Sequence, residues 1–187
     1  GGSPYIIHPL EITLRIIYSE TDDDITCAAS LLHDVIEDNE EIYNSNGETL
    51  ITEYGIDPEV VRIVRLLTKP KDYKVTDPGE KKYYRGIKSD IRASNIKLHD
   101  RTDNLSTIEV FKLEKMMSYV NETKELVYPL LVLKNYYPEY SKAFTNVKYV
   151  LRSNCEVIES ILKRKPTNID FNGYQRTLFF IKGFAKG

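Results

Sequence analysis

Four ionisable side chains crowd into six positions of one apolar segment, Leu31-Leu32-His33-Asp34-Val35-Ile36-Glu37-Asp38. This crowding limits the folds open to the chain, because burying charge is costly unless it is paired or bound to a metal. Any fold that buries the segment must bring partners to it, and a divalent cation is the simplest. In a helix, residues four apart share a face, so His33 would stack with Glu37 and Asp34 with Asp38. Adjacent His33 and Asp34 can then hold an ion from one turn. Glu37 and Asp38, one turn further along, can handle a water, because a carboxylate placed beside it can orient it and accept its proton.

Two residues do not complete a site. His8, in Pro4-Tyr5-Ile6-Ile7-His8-Pro9, and Asp100, in Lys97-Leu98-His99-Asp100-Arg101, are the best further donors. Asp100, Asn104 and Thr107 follow the i, i+4, i+7 spacing of one helix face. His99 is offset from Asp100 by about 100° of helix and is expected to miss the ion. Two imidazoles and two carboxylates suit one Mn²⁺ or Fe²⁺, and also Zn²⁺. A metal-free His33–Asp34 hydrogen bond and a solvated Asn104–Thr107 stripe are the plainer alternatives. The joint supply of donors by three separate segments favours the ion.

The apolar periodicity is helical throughout and predicts an all-α bundle. Leu10, Leu14 and Ile17 form one stripe after Pro9. Thr21 or Asp22 is expected to cap a helix carrying Ile25, Ala28, Ala29, Leu32 and Ile36. A short helix over 50–54 should stop at Gly55, and another should start at Pro58 with Val60, Val64 and Leu67 inside. Residues 68–79 read as a loop, followed by a helix over 90–106. Leu126, Leu130 and Leu133 share a face, Pro138 marks a break, and Val147, Leu151, Cys155, Ile158 and Leu162 lie on a long final helix. We expect one domain over 1–165 and a tail of unknown role over 166–187, where 177–181 is either a strand or an arm.

With a net charge of −2 over 187 residues, bulk electrostatics favour neither a nucleic-acid nor a membrane partner. The distribution is uneven: nine acidic residues and no Lys or Arg run from Glu20 to Glu41, and seven Lys or Arg against three acidic residues from Lys69 to Lys88. Both runs read as solvated surfaces, yet an acidic site beside a basic stretch also suits a phosphorylated ligand bridged by metal. Lys69, Lys71, Lys81, Lys82 and Arg85 are candidates to offset its charge. Tyr83 or Tyr84 is a candidate to stack on a base, against core packing for at least one. Cys27 and Cys155 lack disulfide or metal spacing and are expected to be buried free thiols in a reducing cytoplasm. No apolar run approaches membrane-spanning length, and no signal peptide is visible.

Pro4-Tyr5-Ile6-Ile7-His8-Pro9, then Ala28-Ala29-Ser30-Leu31-Leu32-His33-Asp34-Val35-Ile36-Glu37-Asp38, then Lys97-Leu98-His99-Asp100-Arg101 with Asn104, resemble the HD-type hydrolase domain of the RelA/SpoT alarmone enzymes. The resemblance covers more than half the chain. It implies an all-helical HD domain and Mn²⁺-dependent removal of the 3′-diphosphate from the guanosine nucleotides ppGpp and pppGpp. It further implies that His8, His33, Asp34 and Asp100 bind the metal, that Glu37 and Asp38 activate water, and that Asn104 and Thr107 contact the nucleotide. Here Asp103 stands where the family often has His, His99 where a small residue is common, and Asn39 where Thr is usual. The residues from Gly1 onward are expected to lack the family's first N-terminal helix, and they start too late to show its nucleotide-clamping basic pair. No synthetase region follows, which fits a stand-alone small alarmone hydrolase or a piece of something longer. The alternatives are an HD phosphohydrolase acting on another phosphorylated nucleotide, and a nucleotide-binding module without turnover. Oligomeric state is not legible.

Overall fold

The computed structural model describes residues 6–39, 47–70, 78–108 and 111–163. All regular elements among them are helical, as expected for an all-α fold: α1 Ile7–Tyr18, α2 Asp24–Leu32, α3 Val35–Asp38, α4 Glu48–Thr52, α5 Pro58–Leu67, α6 Pro78–Lys88, α7 Ile91–Ser106, α8 Leu113–Glu122 and α9 Ser141–Lys163. Between α8 and α9 the helix widens to a π turn at Thr123–Val127, then tightens into 3₁₀ turns at Tyr128–Asn135 and Pro138–Tyr140.

Aspartates start three of the helices, α2, α5 and α7. Asp23, rather than the expected Thr21 or Asp22, caps α2 by accepting from the Thr26 N–H at 2.9 Å. Its extended backbone frees the carboxylate to reach that orphan donor. Asp57 caps α5 ahead of Pro58, and Asp90 caps α7. Arg92 joins Asp23 to Glu59, and Arg62 joins Glu59 to Asp90, so the three helix starts are tied together at the surface.

The bundle is organised around α7, which packs against α1, α2, α5, α6 and α9. Twelve of its sixteen residues are buried, among them Lys97, His99, Asp100, Arg101 and Asp103. A helix enclosed on all sides is normally apolar all round; here it carries charge into the interior. The surrounding core includes Ile12, Ile16, Ile36, Val61, Ile87, Leu105, Phe144 and Leu151.

Three expectations are corrected. Leu10, Leu14 and Ile17 are each more than 40% exposed, whereas Pro9, Ile12, Thr13 and Ile16 face the core. Helix α1 is apolar on two faces, so periodicity alone does not choose between them. The 2.6 Å hydrogen bond between Thr13 and Ser30 hydroxyls fixes the second face inward. Residues 78–88, beyond or at the end of the expected loop, form a helix started by Pro78 and anchored by Tyr83, Tyr84 and Ile87. Cys27 is half-buried rather than buried, while Cys155 is buried as expected. The tail over 166–187, including 177–181, and Lys71 lie outside the described residues.

Gly47, immediately before α4, has φ +62°. A methyl group there would stand 2.6 Å from Ile36 Cδ1 in the core. Gly47→Ala combines left-handed backbone strain with overpacking and is expected to cost about 1–3 kcal/mol, measured by denaturant unfolding of the metal-free protein.

Candidate active site

α2 does not run unbroken through His33 and Asp34, as the i, i+4 reading assumed. It stops at Leu32, and α3 begins at Val35. His33 Nδ1 donates to the Ser30 carbonyl at 2.8 Å, so a side chain competes with the backbone for that acceptor. Asp34 then takes φ −100°, ψ −3°, in the bridge region where active-site residues recur. The interruption leaves Asp34 half-buried beside His33, whose ring is buried.

The three donor segments converge. His33 Nε2 lies 3.1 Å from Asp34 Oδ2, and His8 Nε2 lies 3.9 Å from the same oxygen and 3.3 Å from Asp100 Oδ1. The two imidazole rings are 5.3 Å apart between centroids. His8, His33 and Asp34 offer donor atoms within 4.8 Å of one another and form a possible metal site. Asp100 joins them through His8.

The protonation pattern fits a cation. His33 commits Nδ1 to Ser30, and its buried Nε2 has no completed hydrogen bond. His8 has Nδ1 on Asp103 at 2.8 Å, leaving Nε2 toward Asp34 and Asp100. Burial would lower the His8 pKa, but hydrogen bonds and charge from Asp100 and Asp103 lift it to about 10. His33 is also raised, because Asp34 and Asp100 outweigh the effect of burial. Both shifts report a concentration of negative charge around the two rings, and the share from Asp34 and Asp100 faces the Nε2 atoms, where a divalent ion would neutralise it.

Asp100 is itself held by a partner that spacing did not reveal as functional. Lys97 Nζ lies 2.7 Å from Asp100 Oδ2, with both side chains buried. Burial favours the neutral acid, yet Lys97 and His8 hold the Asp100 carboxyl well below the usual range. The other oxygen accepts from Asn104 Nδ2.

These groups wall a cavity of about 210 Å³. Asp34, Glu37, Asp38 and Asp100 line it together with Lys69, Lys97 and Arg101, and His8, Asn104 and Tyr119 complete the lining. Glu37 and Asp38 are exposed at the rim, and Glu37 Oε2 accepts from the Lys69 backbone N–H at 3.1 Å. Of the expected basic residues, Lys69 reaches this cavity. Lys81 and Arg85 line a separate groove with Lys88, and Lys82 is exposed on α6. Tyr83 and Tyr84 are buried, their hydroxyls donating to Leu67 O and Glu122 Oε1.

Thr107 is not among the lining residues. It lies past the end of α7, where its hydroxyl is 3.4 Å from its own chain's Asp103 carbonyl. His99 points away from the cavity residues, as its helical offset implies; burial and Arg15 push its pKa down to about 3. Lys97, Arg101 and Tyr119 escaped the sequence reading. The available signal was that Lys97 and Arg101 flank Asp100 at i−3 and i+1 on a helix too rich in interior positions for two solvated faces.

A profile described as "HD domain" matches residues 1–131. The chain is 30% identical over 178 residues to the guanosine-3′,5′-bis(diphosphate) 3′-pyrophosphohydrolase of Aquifex aeolicus, covering 90% of this chain and 24% of that protein. It is 35% identical over 136 residues to the protein of the same name in Vibrio cholerae, covering 70% and 18%. It is 32% identical over 140 residues to the GTP pyrophosphokinase rsh of Brucella ovis, covering 70% and 17%. The chain thus spans about a quarter or less of the length of these relatives. No helix among the described residues is long and apolar enough to cross a membrane.

Proposed function

The chain belongs to the HD domain family, and from that premise we propose that it is a metal-dependent hydrolase that removes the 3′-diphosphate from ppGpp and pppGpp, releasing pyrophosphate and GDP or GTP. The observation that carries this reading is the convergence of His8, His33, Asp34 and Asp100 beside the acidic pair Glu37 and Asp38. The names of the relatives support the substrate.

In this reading His8, His33, Asp34 and Asp100 hold one divalent ion, Mn²⁺ in preference to Fe²⁺ or Zn²⁺. The bound ion supplies Lewis acidity, polarising a phosphoryl oxygen and making a nearby water easier to deprotonate. Glu37 and Asp38 orient the attacking water and accept its proton. The new bond forms at the phosphorus next to the 3′ oxygen; the bond to that oxygen breaks, the oxygen gains a proton, and pyrophosphate leaves. Lys69, Lys97 and Arg101, which line the same cavity, offset the charge of the diphosphate.

At about 210 Å³ the cavity is smaller than the usual pocket for a whole drug-sized ligand. It accommodates the diphosphate end, with the nucleoside lying across the mouth near Asn104 and, one turn further, Thr107. Residues 1–165 constitute the catalytic domain, acting in the cytoplasm on a guanosine nucleotide.

The test is incubation with Mn²⁺ and, separately, ppGpp, GTP and nucleoside monophosphates, with products resolved by chromatography. Pyrophosphate and GDP from ppGpp are expected. Turnover confined to the other nucleotides would overturn the substrate assignment. Metal uptake with no turnover of any would overturn the enzymatic one.

A further inference from the structure

Helix α7 grips the His8 imidazole at both nitrogens. Asp100 Oδ1 faces Nε2 at 3.3 Å, and Asp103 Oδ2 receives Nδ1 at 2.8 Å. Asp100 and Asp103 are three residues apart, so one helix face presents both carboxylates to one ring. Asp103 is buried and is itself held: Arg15 Nη2, two turns along α1 from His8, donates to its second oxygen at 3.3 Å. Arg15 also meets Glu11 at 3.5 Å. The chain Arg15–Asp103–His8 thus runs from the outside of α1 through α7 to the ring atom that faces Asp34 and Asp100.

Resting on the metal reading above, we propose that Asp103 is a positioning residue: by accepting the His8 Nδ1 proton it fixes the ring orientation and tautomer that present Nε2 to the ion. A histidine ligand whose far nitrogen donates to a carboxylate is held in one tautomer and is the more basic for it. His33 achieves the same end through a backbone carbonyl, Ser30 O. His8 enters from the half-exposed start of α1, and there a side chain, Asp103, supplies the acceptor.

The experiment compares wild type, Asp103→Asn and Asp103→Leu by Zn²⁺ titration against a chelator, and records the imidazole ¹⁵N–¹H spectrum of Zn²⁺-loaded wild type. Asn keeps an oxygen that accepts from Nδ1, so it should bind Zn²⁺ within about 3-fold of wild type. Leu should bind roughly 10–100-fold more weakly, as loss of a ligand's outer partner does. The spectrum should show the His8 proton on Nδ1, with Nε2 on the metal. Equal affinity in wild type and Leu, or equal losses in Asn and Leu, would overturn the proposal. So would a wild-type spectrum with His8 bound through Nδ1, a readout that stands even if the Leu variant does not fold. Absence of any Zn²⁺ uptake by wild type would instead sink the metal reading, and this proposal with it.

Discussion

Replacing Glu37 by Gln and Asp38 by Asn together is expected to slow pyrophosphate release from ppGpp about 100- to 10,000-fold, the usual contribution of positioned acid–base groups, while leaving divalent metal uptake intact. The separation follows from geometry. The proposed ion-holding atoms belong to His8, His33, Asp34 and Asp100, whereas Glu37 and Asp38 stand at the exposed rim of the same cavity. Carboxamides keep the shape of the side chains, and the Gln oxygen can still accept from the Lys69 backbone N–H that Glu37 holds at 3.1 Å. They cannot take a proton at neutral pH. Steady-state product release and a metal titration on the same preparation check both halves. A double variant at full rate would remove the water-activating role from these residues, and one that no longer binds metal would move them into the ligand set.

The largest effect on stability is expected from Glu122→Leu. Arg101 is 2% exposed, and its guanidinium meets Glu122 Oε1 at 2.9 Å and the Tyr84 hydroxyl at 3.2 Å, with the Tyr119 ring 4.7 Å away. Tyr84 donates to the same Glu122 oxygen at 2.8 Å. Burial favours the neutral acid, yet Arg101 and Tyr84 hold the Glu122 pKa below its ordinary value. Arg101 Nε already lacks a partner. Removing Glu122 leaves an uncompensated cation inside the bundle, at a cost of about 3–5 kcal/mol. Adding Arg101→Met should recover most of that loss, because an apolar pair can replace a buried ion pair at little or no net cost. Chemical denaturation of the two variants measures this. Equal stability of Glu122→Leu and wild type would show that the pair does not carry the weight assigned to it.

Much of the site was legible because its residues come in short, local patterns. His33 and Asp34 are adjacent, Asp100 and Asn104 share a helix face, and Pro58 and Asp90 mark helix starts by chemistry that acts within one turn. What stayed hidden depends on what packs where. Helix α1 has two apolar faces, and the choice of Ile12 and Ile16 over Leu10 and Leu14 is made by Ser30 and α7, not by α1. The break at His33 comes from one side chain outcompeting an amide for Ser30 O. Helices α6 and α8 bury few side chains per turn, such as Ile87, Met116 and Val120, too few for a clear stripe. Lys97 and Arg101 read as solvated in isolation; Asp100 and Glu122, distant or adjacent in sequence, make their burial tolerable.

Enclosure of α7 on every side ties working geometry to global integrity. Amides near Lys97, Asp100 and Asp103 sit in a buried helix, and are expected to exchange with solvent only when the whole molecule opens. Heat should therefore not loosen the α7 share of the candidate site ahead of the scaffold: loss of the Lys97–Asp100 geometry and cooperative melting should coincide on one temperature axis.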